Sequence, residues 1–244
     1  MIRDSAETVK RVSIELGGNA PMIVFEDADL EKALDLAVPT KYANSGQVCV
    51  ARDRFYIHES MHDSFVEGFS RRARALRLGH GLKEDTQMGP LINQRRLTAI
   101  EGIVEDAKSR GGKIVTGGKR PAELNTDFFF EPAVITELAG DARALAEENF
   151  GSIAAITPLK DRDEVYGRAN ASEMGLSAYV FTRDANKARE AVSVLSAGKI
   201  GVNSFALAAA EAPFGGVKAS GMGREGGVEG ILDYSNVKLA QVVI

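Results

Sequence analysis

The chain has 244 residues, 44% of them hydrophobic and 26% charged, with a formal net charge of −4. That composition belongs to an ordinary globular protein, and its mild acidity speaks against a nucleic-acid surface or an anionic membrane patch. One cysteine excludes an internal disulfide, three histidines (His58, His62, His80) lack metal-ligand spacing, and no apolar run reaches the length of a membrane span.

In chain order, short apolar runs alternate with segments of helical period. The runs Met22–Phe25, Arg54–His58, Lys113–Thr116, Ala133–Glu137, Ile153–Pro158, Ser177–Phe181 and Lys199–Asn203 are expected to be strands. Between the first two, residues 29–42 place Leu30, Ala33, Leu34, Ala37 and Val38 on one stripe. Asp27 is the expected N-cap there, and Pro39 should kink or end the helix. Residues 60–76 carry Met61, Phe65, Phe69, Ala73 and Leu76 at helical spacing. Arg71, Arg72, Arg74 and Arg77 on that stretch read as a solvated face. Residues 94–110 and 184–196 repeat the pattern, the latter with Ala188, Ala191, Val192 and Leu195 turned inward. Strand–helix alternation predicts an α/β fold: an open, mainly parallel sheet flanked by helices. Residues 234–244 alternate weakly, like a lone strand that would pair with another subunit.

Three features bear on chemistry. Cys49 lies in Asn44-Ser45-Gly46-Gln47-Val48-Cys49, a small polar stretch between a helix end and a strand. A lone cysteine is usually a small buried hydrophobe, but a loop on a rigid scaffold can expose a thiol, which needs a positive or dipolar field to ionise. Glu15, followed by Leu16-Gly17-Gly18, reads either as an exposed strand residue before a turn or as a general base held near a nucleophile. One βα unit fits between the two and could bring them to one sheet edge, expected at the carboxyl ends of the strands. Gly221-Met222-Gly223-Arg224-Glu225-Gly226 matches G-x-G-x-x-G. Too little chain follows it to build the βαβ unit that a dinucleotide fingerprint opens, so it is rejected as one.

Taken together, Glu15-Leu16-Gly17-Gly18, Gly46-Gln47-Val48-Cys49, Glu147-Glu148-Asn149-Phe150-Gly151, Gly198-Lys199-Ile200-Gly201-Val202-Asn203 and Pro213-Phe214-Gly215-Gly216-Val217-Lys218-Ala219-Ser220-Gly221-Met222-Gly223-Arg224-Glu225 resemble, in order, the signatures of the aldehyde dehydrogenase family, nearest its succinate-semialdehyde branch. The resemblance implies an oxidoreductase that converts a small-molecule aldehyde to a carboxylate with NAD or NADP. Cys49 would add to the carbonyl and pass from a thiohemiacetal to a thioester. The oxyanion would be held by the Cys49 backbone N–H and an asparagine side chain. Glu15 would activate the hydrolytic water. Glu148 would meet the nicotinamide ribose, Phe150 the ring and Gly17 the cofactor, while Asn203 and Phe214 would wall the substrate tunnel.

The family's dinucleotide domain precedes its glutamate signature, so residues 1–17 are expected to be a remnant of that domain. Residues 18–218 would be the catalytic domain, and 219–244 a return segment with an oligomerisation tail. On this reading the chain is the C-terminal catalytic part, unable alone to perform the hydride step, with a homo-oligomer or an N-terminal half as partner and a cytoplasmic location. Asn149 and Ser152 stand where the family has an apolar residue and proline, and Asn19 where lysine is common. Ala206–Ala210 supplies no hydroxyl for a substrate carboxylate, which turns the expectation towards a less polar aldehyde. A residual Cys49-dependent esterase and a non-catalytic oligomerisation partner are the competing readings.

Overall fold

The structure, a computed structural model, describes residues 1–124 and 128–244. In chain order the strands are β1 (Ile14–Glu15), β2 (Ala20–Val24), β3 (Arg52–His58), β4 (Lys113–Thr116), β5 (Ala133–Thr136), β6 (Ile153–Leu159), β7 (Met174–Gly175), β8 (Ser177–Phe181), β9 (Lys199–Val202), β10 (Val217–Lys218) and β11 (Gly221–Met222). The helices are α1 (Ile2–Ala6), α2 (Leu30–Tyr42), α3 (Glu59–Arg74), α4 (Gln94–Ser109), α5 (Arg143–Ala146), α6 (Arg162–Asn170), α7 (Ala185–Val194) and α8 (Gly227–Asp233).

Among the described residues, seven strands form one sheet in the order β4-β5-β6-β3-β2-β8-β9. All pairs are parallel except β4 with β5. The expected α/β class and all seven main strands therefore stand, with ends moved by one or two residues. A parallel sheet must be covered on both faces, and here it is. Met22 and Val24 turn one way, with Phe55 and Ile57, against Leu34, Val38, Phe65 and Phe69 of α2 and α3. Ile23 and Phe25 turn the other way, with Tyr56, Val180, Val165 and Tyr166. Towards β5, α4 packs Leu97, Ile100 and Val104 against Ile135 and Ile153.

Some expectations fail for local reasons. Helix α2 is capped by Asp29, whose carboxylate accepts the Lys32 N–H at 3.1 Å. It runs through Pro39 and stops one turn later. Asp27 is instead a clamp at the carboxyl end of the sheet: it accepts from the Thr182 hydroxyl and the Arg183 and Asp184 backbone N–H groups, and pairs with Lys187. Val192 is exposed, because only one side of the short α7 meets the sheet. Helix α6 escapes the periodicity reading since only Val165, Tyr166 and Ala169 of its nine residues are buried. The tail beyond Tyr234 forms no strand, for among the described residues no sheet edge pairs with it, and Val237, Leu239, Val242, Val243 and Ile244 are exposed. Arg72, within the basic cluster, pairs with Glu31 and Asp35 of α2. No helix of the described residues is long and apolar enough to cross a membrane.

Asp27 gives a pH test. Burial works against its charge, but hydrogen bonds from Thr182, Arg183 and Lys187 prevail and hold its carboxyl at about 2, below the ordinary 3.8. A depressed folded-state pKa contributes stability above the unfolded value that is lost as pH falls through the folded one. Wild type should therefore lose melting temperature between pH 3.8 and about 2 more steeply than Asp27→Asn. Parallel acid melts would contradict the clamp.

Candidate active site

The site lies at the amino ends of the parallel strands, not the carboxyl ends expected from the general rule for open sheets. Residues 15–19 lead into β2, Cys49 leads into β3, Glu148–Gly151 lead into β6, and Lys199 opens β9. The carboxyl ends are closed by the Asp27 clamp and by Asn203, whose amide grips both the N–H and the carbonyl of Thr182. Asn203 thus fastens a turn at the opposite end of β9 from Lys199. The chain then doubles back, so that Phe205 packs on Tyr179 and residues 213–216 return to Glu15.

Cys49 is half-buried on a loop with an unusual backbone. Asn44, Ser45 and Gly46 all adopt positive φ, of 48°, 58° and 76°. A Cβ on Gly46 would strike the Gly151 carbonyl, so glycine is required both for its φ and for this close approach. Polar side chains fasten the loop: Asn44 Nδ2 donates to the Gln47 carbonyl, the Ser45 hydroxyl to the Gly89 carbonyl, and Ile92 N–H to Gln47 Oε1. Burial pushes the Cys49 thiol above its ordinary pKa. Backbone N–H groups of Val50 and Cys49 pull the other way, and the Glu148 and Glu15 carboxylates push it further up.

Glu15 belongs to β1, which pairs antiparallel with β11. Its Oε1 accepts the Gly216 N–H at 3.3 Å, while Oε2 is buried with no hydrogen-bond partner. Burial raises its pKa, with Glu225 adding to the rise. The Gly216 N–H, Arg224 and Lys199 oppose it. The turn after Glu15 is pinned by Ser220, whose hydroxyl donates to the Gly17 carbonyl at 2.6 Å and accepts the Gly175 N–H at 2.9 Å.

Gly17 and Gly18 are where the loops meet. The Glu148 carboxylate lies over Gly17, where a Cβ would collide with it, and Oε1 accepts the Gly18 N–H at 3.0 Å. A Cβ on Gly18 would stand 2.5 Å from the Cys49 carbonyl oxygen. Glu148 is itself raised in pKa by burial. Phe150, at φ 43°, lines a cavity of about 580 Å³ with Asn44, Gln47, Pro90, Leu91 and Ile92. Phe214 exchanges backbone hydrogen bonds with Glu225, and its ring sits 3.6 Å below the Lys199 ammonium. The structure therefore gathers Glu15, Gly17, Cys49 and Glu148 and places Phe150 and Phe214 beside them. Of the predicted site residues, Asn203 alone lies at the other end of the sheet.

The rejected glycine fingerprint is indeed no phosphate loop. Gly221 and Gly223 pack against Ile14 and Ser13, and β11 meets an antiparallel neighbour rather than opening a βαβ unit.

Sequence reasoning missed the charges beneath the site. Lys41 of α2, fully buried, pairs with Asp53 of β3 at 2.7 Å, and Asp53 Oδ2 accepts the Asn149 N–H at 3.1 Å. Asn149 Nδ2 donates to the Ala144 carbonyl and its own carbonyl accepts from Arg96, so the departure at 149 is an anchor for the Glu148–Phe150 turn. Lys199, only 8% exposed, was quoted within a motif but assigned no role.

Comparison with known proteins agrees with this geometry. The profile of the aldehyde dehydrogenase family matches residues 1–240. The chain is 44% identical over 238 residues to the non-phosphorylating aspartate-semialdehyde dehydrogenase of Halomonas elongata, covering 98% of this chain and 48% of that protein. It is 39% identical to the NADP+ succinate-semialdehyde dehydrogenase of Escherichia coli, covering 98% and 49%. An aldehyde dehydrogenase of Bacillus cereus solved with NAD+ superposes with a TM-score of 0.93 at 36% identity, over 97% of this chain and 48% of that one. The chain thus spans about half the length of the curated relatives it matches, and over that span it belongs to the aldehyde dehydrogenase family.

Proposed function

We propose that this chain carries the thiol and base of an enzyme that oxidises an aldehyde to a carboxylate with NAD or NADP. The observation that carries the reading is the convergence of Cys49, Glu15 and Glu148 around the Gly17–Gly18 backbone. The Cys49 thiolate adds to the aldehyde carbon, forming a C–S bond and an alkoxide that the Cys49 backbone N–H faces. Once that carbon has lost its hydride it is a thioester. Glu15 then takes a proton from water as the oxygen attacks, the C–S bond breaks, and the carboxylate leaves with the thiol restored.

The residues present fit the nicotinamide end of the cofactor. Glu148 offers a half-buried carboxylate with one oxygen on Gly18 and the other available to ribose hydroxyls, and Phe150 offers a ring beside an open cavity. When bound, the nicotinamide would supply the hydride acceptor. Among the described residues no glycine-rich turn is built to hold a pyrophosphate. We therefore assign the hydride step to a protein that also contains such a domain. Two relatives act, by name, on aspartate semialdehyde and succinate semialdehyde, which supports a semialdehyde as substrate over the less polar aldehyde expected from the lack of a hydroxyl in Ala206–Ala210.

Absorbance of reduced nicotinamide tests this. The purified chain with either cofactor and a panel of aldehydes should give no signal, and adding the dinucleotide domain of a relative should give one that Cys49→Ala abolishes. Turnover by the chain alone would overturn the assignment of the hydride step. A restored signal that survives Cys49→Ala would overturn the role of the thiol.

A further inference from the structure

We propose that Lys199 is a positioning residue of this site, a buried ammonium that holds the Glu15 carboxylate and the Cys49 thiolate in their charged forms. The proposal deepens the reading above and rests on its assignment of those two residues.

Lys199 is the first residue of β9 and is 8% exposed. Lysine is almost never buried to this degree unless it is paired. Lys199 has no ion pair among the described residues, and its Nζ has no hydrogen-bond partner. It lies over the face of Phe214, 3.6 Å from the ring centre. The attraction of a cation for a ring face is weak beside the cost of burying an ammonium. An apolar side chain at this position would pack at less cost. Stability thus gives no account of the charge, and its surroundings give one.

Phe214, over whose ring Lys199 lies, leads into Gly216, the N–H donor to Glu15, and the charges of Glu15 and Cys49 favour the protonated form of Lys199 against the effect of burial. Glu15 in turn has Oε2 buried without a partner and faces Glu225, Arg224 and Lys199. Cys49 faces Glu148 and Glu15, two carboxylates that oppose ionisation of its thiol. Without Lys199, the negative charges of Glu15, Glu148 and the thiolate would be offset only by Arg224 on the Glu15 side and by backbone N–H groups on the Cys49 side. With it, a second positive charge acts on a carboxylate that must stay ionised to accept a proton and on a thiolate that must form to attack.

Cys49 is the only cysteine, so thiol alkylation of the purified chain reads this site without a cofactor or an aldehyde. The iodoacetamide rate is to be measured across pH in wild type, Lys199→Met, Lys199→Arg and Glu15→Gln. Lys199→Met should react roughly three- to tenfold more slowly at pH 7, since each unit of thiol pKa changes the thiolate tenfold. Lys199→Arg should stay near wild type, and Glu15→Gln should react faster. A folded Lys199→Met with the wild-type profile would overturn the proposal. Should that variant not fold, the ¹³Cε signal of Lys199, assigned by its loss in Lys199→Arg, should titrate at lower pH in Glu15→Gln than in wild type, and identical titrations would contradict the proposal. Because alkylation needs no turnover, failure here is distinguishable from failure of the aldehyde reading.

Discussion

Glu15→Gln should speed acylation of Cys49 by an activated ester modestly, as it speeds alkylation, and slow release of the acyl group by on the order of 10²–10⁴-fold, the usual contribution of a positioned general base. The argument is geometric. Glu15 is held by β1 pairing with β11 and by the Gly216 N–H, and its second oxygen is buried beside the thiol loop without a partner. Glutamine keeps the shape and the acceptor for Gly216 but cannot take a proton from water. The pH dependence has a definite sign. Only the ionised carboxylate is a base, and burial lifts its pKa above the ordinary glutamate value of 4.5. Deacylation in wild type should therefore rise with pH through a midpoint above 4.5, and the rise should vanish in Glu15→Gln. Acylation depends on a thiol also raised by burial and by two carboxylates, so it should rise at more alkaline pH than an ordinary cysteine. Stopped-flow release of acyl groups, read against pH in both proteins, separates the two limbs. Equal release rates would remove Glu15 from the role of base.

Asp53→Ala should be the most destabilising single change near the site. Its Oδ1 is the counter-charge of Lys41, both side chains are at most 3% exposed, and Oδ2 holds the Asn149 N–H. Burial already drives the Lys41 pKa down, with Asp53 opposing, so removal of the carboxylate leaves an uncompensated buried ammonium. Breaking a buried pair in this way costs about 3–5 kcal/mol, whereas replacing both partners by apolar side chains of similar volume is often neutral. For a chain of this size that corresponds to a melting temperature lower by roughly 6–20 °C. The double variant Lys41→Met/Asp53→Leu should recover most of the loss. It should not recover the anchor of the Glu148–Phe150 turn, because leucine accepts no hydrogen bond from Asn149. Calorimetry of the three proteins checks this. A single variant as stable as wild type would show that the pair is not a closed buried one.

The sheet was legible where burial writes itself into composition. The Val- and Ile-rich runs at 133–136, 153–159 and 177–181 became β5, β6 and β8 because parallel strands covered on both faces are apolar throughout. The motif segments were legible as a cluster, since Glu148 and the Cys49 loop converge on the Gly17–Gly18 turn that follows Glu15. Their end of the sheet was not, because the rule for open sheets points to carboxyl ends, which Asp27, Thr182 and Asn203 close here. Nor was the face of each β3 residue. A register shift pairs Ala20 with Arg52 and Pro21 with Arg54, so two arginines two positions apart turn to opposite faces. Arg52 lies over Phe205, and Arg54 donates to the carbonyls of Asn19 and Ala169. Lys41, Asp53 and Lys199 were invisible for a related reason: a charge in a sequence reads as surface until a partner distant in the chain is known.

The central claim is that Cys49 is the nucleophile of this chain. Its most direct test is the mass of the purified protein after brief mixing with p-nitrophenyl acetate, followed by peptide mapping. The account predicts a single acetyl group on the peptide containing Cys49, transient in wild type, persistent in Glu15→Gln and absent in Cys49→Ala. Acetyl groups found only on other residues, or formed equally fast in Cys49→Ala, would contradict it.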